Sequence, residues 1–190
     1  MSSVIDVKCV AIGDNDVGKF SMLASYTQNK FTDGYIPTLF DNFESIQVVD
    51  GKTIHLQLWN TAAHEDFKRS RYISYPDTEV FLICFSISDP VSFQNVEEKW
   101  IPEIKDYIEG VPIVLVGTKA DLRESPPEFV KLVPKEDAEQ MVKRLGFSAY
   151  VECSAKTQKN LSEVFETAAR LAIQKYYPKE TKESGCCTIF

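Results

Sequence analysis

The sequence lacks an excess of basic residues. Its 28 acidic side chains outnumber 21 basic ones, which gives a net charge of -7 over 190 residues. A surface of that sign repels a phosphate backbone, which argues against a general nucleic-acid-binding protein. It leaves room for a local phosphate site built from backbone N–H groups and one lysine. Histidine is scarce, and the 5 cysteines form no C-x-x-C pair, so the sequence offers no zinc site.

Long apolar runs are missing as well. No stretch approaches the ~20 residues that span a bilayer, and Met1–Asp6 is too short and polar to indicate a signal peptide. Cys9, Cys84 and Cys153 lie in apolar, strand-like runs, which predicts buried thiols. We therefore expect a protein of the reducing cytosol.

Apolar, β-branched runs alternate with segments of helical period, which predicts an α/β fold with a mainly parallel sheet. The predicted strands are Val7–Ile12, Glu44–Val49, Thr53–Trp59, Val80–Ile87, Ile113–Gly117 and Tyr150–Cys153. The predicted helices are Lys19–Thr27, Ser92–Ile108, Pro134–Leu145 and Leu161–Tyr176. Asp50-Gly51 predicts one antiparallel hairpin. The organisation is one domain, residues 1–177, followed by a flexible polar tail, residues 178–190.

A candidate phosphate loop follows the first predicted strand. Gly13-Asp14-Asn15-Asp16-Val17-Gly18-Lys19 has the G-x-x-x-x-G-K spacing, in which glycines let the backbone approach phosphates and the lysine adds charge. Such loops continue with Ser or Thr, whose hydroxyl binds Mg²⁺, but here Phe20 follows. Ser21 is rotated about 100° around the helix and cannot take over. Asn15 and Asp16 are also unusual, since Asp16 puts a carboxylate where anions bind.

Two later motifs indicate recognition of guanine. Thr118-Lys119-Ala120-Asp121 follows a predicted strand, and a carboxylate at Asp121 can accept from both the N1–H and the 2-amino group of guanine. Adenine offers no such pair of donors. Glu152-Cys153-Ser154-Ala155-Lys156-Thr157 resembles the second base-side loop of small GTPases. That resemblance implies that Ala155 offers a backbone N–H to the guanine carbonyl, that Lys156 lies beside the ring and that Lys119 packs along the base.

These motifs, with Tyr35-Ile36-Pro37-Thr38-Leu39-Phe40-Asp41-Asn42-Phe43, resemble those of Rho-type and Rac-type small GTPases of the Ras superfamily. The resemblance covers nearly the whole chain and implies a P-loop fold with a six-stranded, mostly parallel sheet. It implies that Tyr35 and Phe31 contact the nucleotide and that Thr38 senses the γ-phosphate and Mg²⁺. It also implies effector contacts, which fall on Leu39, Phe40, Asp41, Asn42 and Phe43. The segment Glu124–Val133 is shorter than the insert usual in that family.

The catalytic segment departs from the family pattern Trp-Asp-Thr-Ala-Gly-Gln-Glu, reading Trp59-Asn60-Thr61-Ala62-Ala63-His64-Glu65. Asn60 lacks the charge that supports Mg²⁺, the Cβ of Ala63 restricts the backbone that meets the γ-phosphate, and His64 replaces the water-positioning Gln. Two hypotheses remain open. One is a pseudo-GTPase that binds GTP or GDP with weak or absent Mg²⁺ and weak or absent hydrolysis. The other is a cycling GTPase that uses His64.

The C-terminus carries a lipidation pattern. Cys187-Thr188-Ile189-Phe190 fits C-a-a-X, and a final Phe favours geranylgeranylation. A single lipid anchors weakly, and without a polybasic tail Cys186 is the candidate for palmitoylation. We expect a monomer on the cytoplasmic side of membranes, partly cytosolic. Its expected partners are effectors, exchange factors and a dissociation inhibitor, in signalling that regulates the cytoskeleton.

Overall fold

The structure is a computed structural model that describes residues 4–31 and 40–178. The predictions for Tyr35, Thr38, Leu39, Cys186 and Cys187 lie outside the described residues. The strands are β1 (Ile5–Gly13), β2 (Phe40–Val49), β3 (Lys52–Thr61), β4 (Val80–Ser86), β5 (Ile113–Thr118) and β6 (Ala149–Glu152). The helices are α1 (Lys19–Gln28), α2 (Lys68–Ser74), α3 (Pro90–Asn95), α4 (Ile101–Lys105), α5 (Lys135–Leu145) and α6 (Leu161–Tyr176). A π-helical turn, Val96–Trp100, joins α3 to α4, and two 3₁₀ turns span Glu65–Phe67 and Ala120–Arg123.

The six strands form one sheet in the order β2-β3-β1-β4-β5-β6. Only the β2–β3 pair is antiparallel, and the other pairs are parallel. This confirms the predicted α/β fold and the hairpin. Asp50 and Gly51 both have positive φ, 50° and 78°, the conformation of the two-residue turns that suit twisted strands.

Helices cover both faces of the sheet. On one face, α1 and α6 bury Leu23, Phe165 and Ala169 against the strands. On the other, the α3–α4 region and α5 bury Trp100 and Met141. Every residue of β4 is buried, as expected of a strand covered on both faces. The predicted burial of the three strand cysteines is confirmed, and burial raises the pKa of the Cys84 thiol to about 12.

One predicted helix is wrong in its bounds. Instead of a continuous helix from Ser92 to Ile108, α3 begins at Pro90 because the Asp89 carboxylate accepts from the N–H groups of Val91 and Ser92. The helix is then interrupted by the π turn, and α4 ends at Lys105. The sequence pattern does not predict helix α2.

The carboxyl ends of β1, β3, β4, β5 and β6 lie at one edge of the sheet because these strands are parallel. The candidate phosphate loop and both candidate base loops follow three of these strands. None of the helices among the described residues has both the length and the apolar character needed to cross a bilayer.

Candidate nucleotide site

A cavity of about 620 Å³ opens at this edge of the sheet. One wall comes from the phosphate loop and the start of α1, with Asn15, Asp16 and Gly18–Ser21. The opposite wall is Asn60–His64, at the end of β3 and beyond it, with Phe67. The first turn of α1 holds no acidic residue, so the positive end of that helix faces the cavity without a competing carboxylate on the helix itself.

Lys19 is the buried cation of this cavity. Its ammonium donates to the carbonyls of Gly13 and Asp14, each at 2.8 Å, and the side chain is 7 % exposed. Burial lowers the pKa of Lys19 to about 8, since water no longer solvates the charge. An anion beside Lys19 would replace that lost solvation. The geometry therefore favours a phosphate group at this position.

Gly13 explains how the loop begins. It has φ 142°, and a Cβ there would lie 2.1 Å from the carbonyl oxygen of Cys84. Only glycine lets β1 continue into the loop so close to β4. The carbonyl of Gly13 that Lys19 contacts is fixed by this packing.

The magnesium site that the Rho resemblance implies is not matched by the described residues. Phe20 supplies no oxygen, and its ring packs edge-on against Phe43 with centroids 5.6 Å apart. Asn60 is 5 % exposed and neutral, and its Oδ1 has no hydrogen-bond partner among the described residues. Over residues 4–31 and 40–178, no three His, Cys, Asp or Glu side chains gather as metal ligands. Mg²⁺ prefers charged oxygen ligands, and neither Phe20 nor Asn60 supplies one, although the Asp16 carboxylate also lines the cavity.

The segment after β3 is held by a buried ion pair that no local sequence pattern indicates. Arg71 is fully buried and donates to the carbonyls of Ala62, at 2.9 Å, and His64, at 2.8 Å. Its remaining N–H groups form a bidentate pair with Glu103, at 2.8 and 2.7 Å. Tyr75 donates to the same carboxylate at 2.6 Å. Burial alone would raise the pKa of Glu103, but hydrogen bonds from Arg71 and Tyr75 hold it below its ordinary value.

His64 lies at the cavity rim with 59 % of its side chain exposed. Its Nδ1 lies 3.3 Å from the backbone nitrogen of Asp66 and 3.2 Å from the Asp66 carboxylate. Nδ1 accepts from the N–H when it carries no hydrogen and donates to the carboxylate when it carries one, so the two contacts exclude each other. In either state Nδ1 is occupied locally, and only Nε2 remains for a reacting water. Ala63 is 4 % exposed, and its carbonyl accepts from Lys99 at 3.3 Å.

A second cavity of about 200 Å³ adjoins the first and shares Gly18, Ser21 and Lys119 with it. Its remaining lining includes the predicted base-contacting residues, which are Phe31, Thr118, Asp121, Ala155 and Lys156. Both predicted base loops and Phe31 therefore meet at one pocket.

Asp121 is oriented by the other base loop. Ser154 is fully buried, and its hydroxyl donates to Asp121 Oδ1 at 2.6 Å and accepts from the N–H of Thr157 at 3.1 Å. Lys119 has φ 60°, a left-handed conformation that starts the 3₁₀ turn Ala120–Arg123. Ser154 thus contributes by holding the carboxylate and does not line the cavity.

Further contacts join the two base loops. The N–H of Ala120 donates to the carbonyl of Cys153 at 3.0 Å. Glu152 accepts from Arg123, at 3.0 and 2.6 Å, and from the Tyr150 hydroxyl at 2.6 Å. The Thr118 hydroxyl lies within hydrogen-bond distance of the carbonyls of Val17 and Phe85, which ties the base loop to the phosphate loop.

Most predicted site residues come together. Asn15, Asp16, Gly18, Lys19, Phe20, Ser21, Ala63 and His64 line the larger cavity. Four of the predicted nucleotide-binding residues that the structure describes line neither cavity: Gly13, Val17, Ser154 and Asp14. The Asp14 carboxylate turns away to accept from Asn95 and Trp100, at 2.6 and 2.9 Å. Of the predicted effector residues, Asp41, Asn42 and Phe43 lie on β2, as does the backbone of Phe40.

Comparison with known protein families identifies the family of this chain. A family model described as the Ras family matches residues 8–174. The matched range runs from β1 to α6 and contains both cavities and all three nucleotide motifs. A match over most of the chain, on a six-stranded, mostly parallel sheet with these loops at its edge, supports a P-loop domain that binds guanine nucleotide. This chain belongs to the Ras family of small GTP-binding proteins.

Proposed function

We propose that this protein is a Rho-type signalling GTP-binding protein whose Mg²⁺ binding and GTP hydrolysis are impaired. It holds guanine nucleotide, engages effectors at membranes and acts as a pseudo-GTPase. One observation carries the proposal. Phe20 lines the phosphate cavity where a hydroxyl ligand for the metal is expected, and its ring packs on Phe43.

The choice of base is supported by Asp121. A carboxylate fixed by the Ser154 hydroxyl retains lone pairs for the two guanine donors, and it lines the same pocket as the other predicted base contacts. Hydrogen bonds to a charged group contribute about 1.5–3 kcal/mol each. Adenine presents an acceptor at the corresponding edge and gains neither bond.

Weak metal binding is supported by two neighbouring substitutions. Phe20 brings an apolar ring to a place where a hydrated dication would lie, and Asn60 brings a neutral amide. Losing the groups that fix a metal's ligands and water typically costs on the order of 10–100-fold in affinity or activity. Charge developing on the phosphates during hydrolysis would then be offset mainly by Lys19.

The contacts of residues 60–64, on the opposite wall of the cavity, support the proposal that hydrolysis is weak. The carbonyls of Ala62 and His64 are both bound to Arg71, so this backbone is held in place. The Cβ of Ala63 further limits reorientation of its N–H toward a γ-phosphate. One observation favours the cycling alternative, namely that His64 lines the cavity with an exposed ring. Single-turnover GTP hydrolysis, with and without chelator, separates the two hypotheses.

We propose that the Rho-type role includes lipid anchoring through Cys187, support from Cys186, and effector binding through Leu39 to Phe43. The composition of the tail supports the lipid anchor, since Lys175, Lys179 and Lys182 are offset by Glu180 and Glu183. An acidic protein gains little from anionic lipid and depends on acyl or prenyl chains instead.

The experiment is the nucleotide and metal content of purified protein, by chromatography and elemental analysis after denaturation. We expect bound guanine nucleotide and substoichiometric Mg²⁺. The nucleotide should stay bound when a chelator is added. The double variant Phe20→Thr/Asn60→Asp should carry Mg²⁺ and release nucleotide faster with chelator. Phe129→Asn removes a phenyl ring from a fully exposed loop residue whose φ of 64° Asn adopts readily, and it should match the parent. Equimolar Mg²⁺ with chelator-sensitive nucleotide in the parent contradicts the proposal, as does bound ATP.

A further inference from the structure

The helix that follows β4 contains a π-helical turn, Val96–Trp100. Such turns are rare, because they replace α-helical hydrogen bonds with a less common pattern. Where they occur, they are frequently found at functional sites. A π turn closes hydrogen bonds between residues five apart, so side chains at that spacing come to the same side of the helix. Asn95 and Trp100 have this spacing. In an unbroken α-helix, at about 100° per residue, they would point well apart.

Both side chains meet the phosphate loop at Asp14. Asn95 Nδ2 donates to one carboxylate oxygen at 2.6 Å, and Trp100 Nε1 donates to the other at 2.9 Å. Each oxygen thus has its own donor on a different residue. Trp100 is fully buried, and Asn95 is half-buried. We call this arrangement of Asp14, Asn95 and Trp100 the strap.

The strap has two consequences for the phosphate cavity. It directs a carboxylate of the phosphate loop out of the cavity, where that charge would repel phosphates, although Asp16 remains in the lining. It also fixes the peptide of Asp14, whose carbonyl accepts from Lys19 at 2.8 Å. The companion carbonyl of Gly13 is already held against β4. Lys19 is therefore placed by one carbonyl that glycine packing fixes and one that the strap fixes.

The indole of Trp100 also contacts the opposite wall. The Arg71 guanidinium lies 5.2 Å from the ring centroid, and the Lys99 ammonium lies 4.5 Å from it. Arg71 holds the carbonyls of Ala62 and His64. One buried side chain thus contacts both a residue of the phosphate loop and the cation that holds the segment after β3.

We propose that Asn95 and Trp100 are positioning residues for the nucleotide phosphates, acting through Asp14 on Lys19. The strap slows release of a guanine nucleotide by keeping the lysine and the loop in their binding geometry. The inference rests on the proposed nucleotide binding and is independent of whether GTP is hydrolysed.

The test compares GDP release from Asp14→Asn, Asn95→Ala, Trp100→Phe and the double variant Asp14→Asn/Trp100→Phe, with a fluorescent GDP analogue. Each single variant should release GDP on the order of 10-fold faster, the usual worth of a hydrogen bond to a charged group. The double variant should be no faster than the faster of its single variants, because both changes break one contact. Glu97→Gln alters an exposed residue of the same turn and should match the parent.

A second readout reports on the geometry itself. The chain has 2 tryptophans, so a ¹⁵N spectrum shows two indole N–H signals, which Trp59→Phe assigns. In nucleotide-free protein, Asp14→Asn should move the Trp100 signal and leave the Trp59 signal in place. An unmoved Trp100 signal, or release rates that multiply in the double variant, overturns the strap. If Trp100→Phe fails to fold, the same comparison can be made with Asn95→Ala, Asp14→Asn and the double variant that combines them. Mg²⁺-dependent turnover by the parent would reject the proposed function and leave this test intact.

Discussion

Among single residues, Lys19 makes nucleotide binding depend on pH. Its pKa is about 8 in the folded, nucleotide-free protein against an ordinary value of 10.5, because burial disfavours the charge. Between these two values the unfolded chain binds more protons, so the free energy of unfolding of nucleotide-free protein rises with pH in that window. Phosphates require the ammonium form. Affinity for GDP should therefore fall as pH rises through about 8.

The measurement is the dissociation constant for GDP from pH 7 to pH 9. We expect a loss of affinity that steepens above the pKa of Lys19 and is absent in Lys19→Met, which binds weakly throughout. The variant controls for titration of the nucleotide itself. A parent protein with constant affinity over this range contradicts the role given to the buried ammonium.

Asp121 gives the second prediction at this scale. In Asp121→Asn the amide presents a donor to a guanine donor, so GDP and GTP should bind on the order of 10²–10⁴-fold more weakly, through loss of two charge-assisted hydrogen bonds. Xanthine nucleotides, which carry a carbonyl in place of the 2-amino group, should bind better than to the parent. Competition among GDP, XDP and ADP measures the change. Equal binding of ADP and GDP by the parent would contradict the assignment.

Which residues the sequence could identify depended on the range of their contacts. Lys19, Asp121 and Ala155 belong to local motifs and were found in place. Asn95 and Trp100 contact Asp14 across 81 and 86 positions of the chain, and no local pattern indicates that contact. The orientation of the Asp14 carboxylate, away from the cavity, therefore could not be predicted from the sequence.

Among elements, α2 is attached by the Arg71–Glu103 pair. Removing one partner of a buried pair leaves an uncompensated charge and typically costs 3–5 kcal/mol. Arg71→Met should lower the free energy of unfolding by about that amount in urea denaturation at pH 7. Because burial then acts on Glu103 without the guanidinium, its pKa should rise, and the deficit should shrink toward pH 5.

The matched control is Arg144→Met. Arg144 also forms a bidentate pair, with Glu97, but both side chains are about half exposed. Exposed pairs contribute about 0–1 kcal/mol, so little change is expected. A deficit in Arg71→Met no larger than in Arg144→Met contradicts the account of how the segment after β3 is held.

Element boundaries show where sequence patterns fail. The apolar period of Ser92–Ile108 predicts one helix, and the period alone cannot reveal a π turn, which shifts the faces by a single residue. The short α2 has too few turns for a periodic signal and is stabilised by the long-range pair of Arg71. The strands were predicted more accurately, because parallel strands that are covered on both faces have continuous apolar sequences.

For the whole molecule, membrane attachment tests the proposed lipidation of the C-terminal tail. Cys187→Ser should move the protein from the membrane fraction to the soluble fraction, since it removes the proposed prenyl site. Cys186→Ser should remain prenylated but dissociate more readily, because a single lipid binds marginally. Fractionation with mass spectrometry of the C-terminal peptide measures both. Cys187→Ser that stays on membranes to the same extent would contradict the proposed anchor.

The fold itself followed from the sequence because a domain of alternating strands and helices has few allowed arrangements. The state of the catalytic machinery did not follow, since it depends on how Phe20, Asn60, Ala63 and His64 are placed around one cavity. The structure brings all four to its lining. The central claim is that this constellation binds nucleotide and hydrolyses it poorly.

The most direct test of that claim is single-turnover GTP hydrolysis, with and without chelator, for the parent and for variants that restore the family residues. Mg²⁺ bridging the β- and γ-phosphates normally offsets the charge of the transition state, so its loss slows the reaction. We predict very slow turnover by the parent, insensitive to chelator. Phe20→Thr/Asn60→Asp should regain Mg²⁺-dependent binding, and adding Ala63→Gly and His64→Gln should restore turnover. Chelator-sensitive hydrolysis by the parent at a rate equal to that of the fully restored variant would contradict the account and identify a cycling GTPase that uses His64.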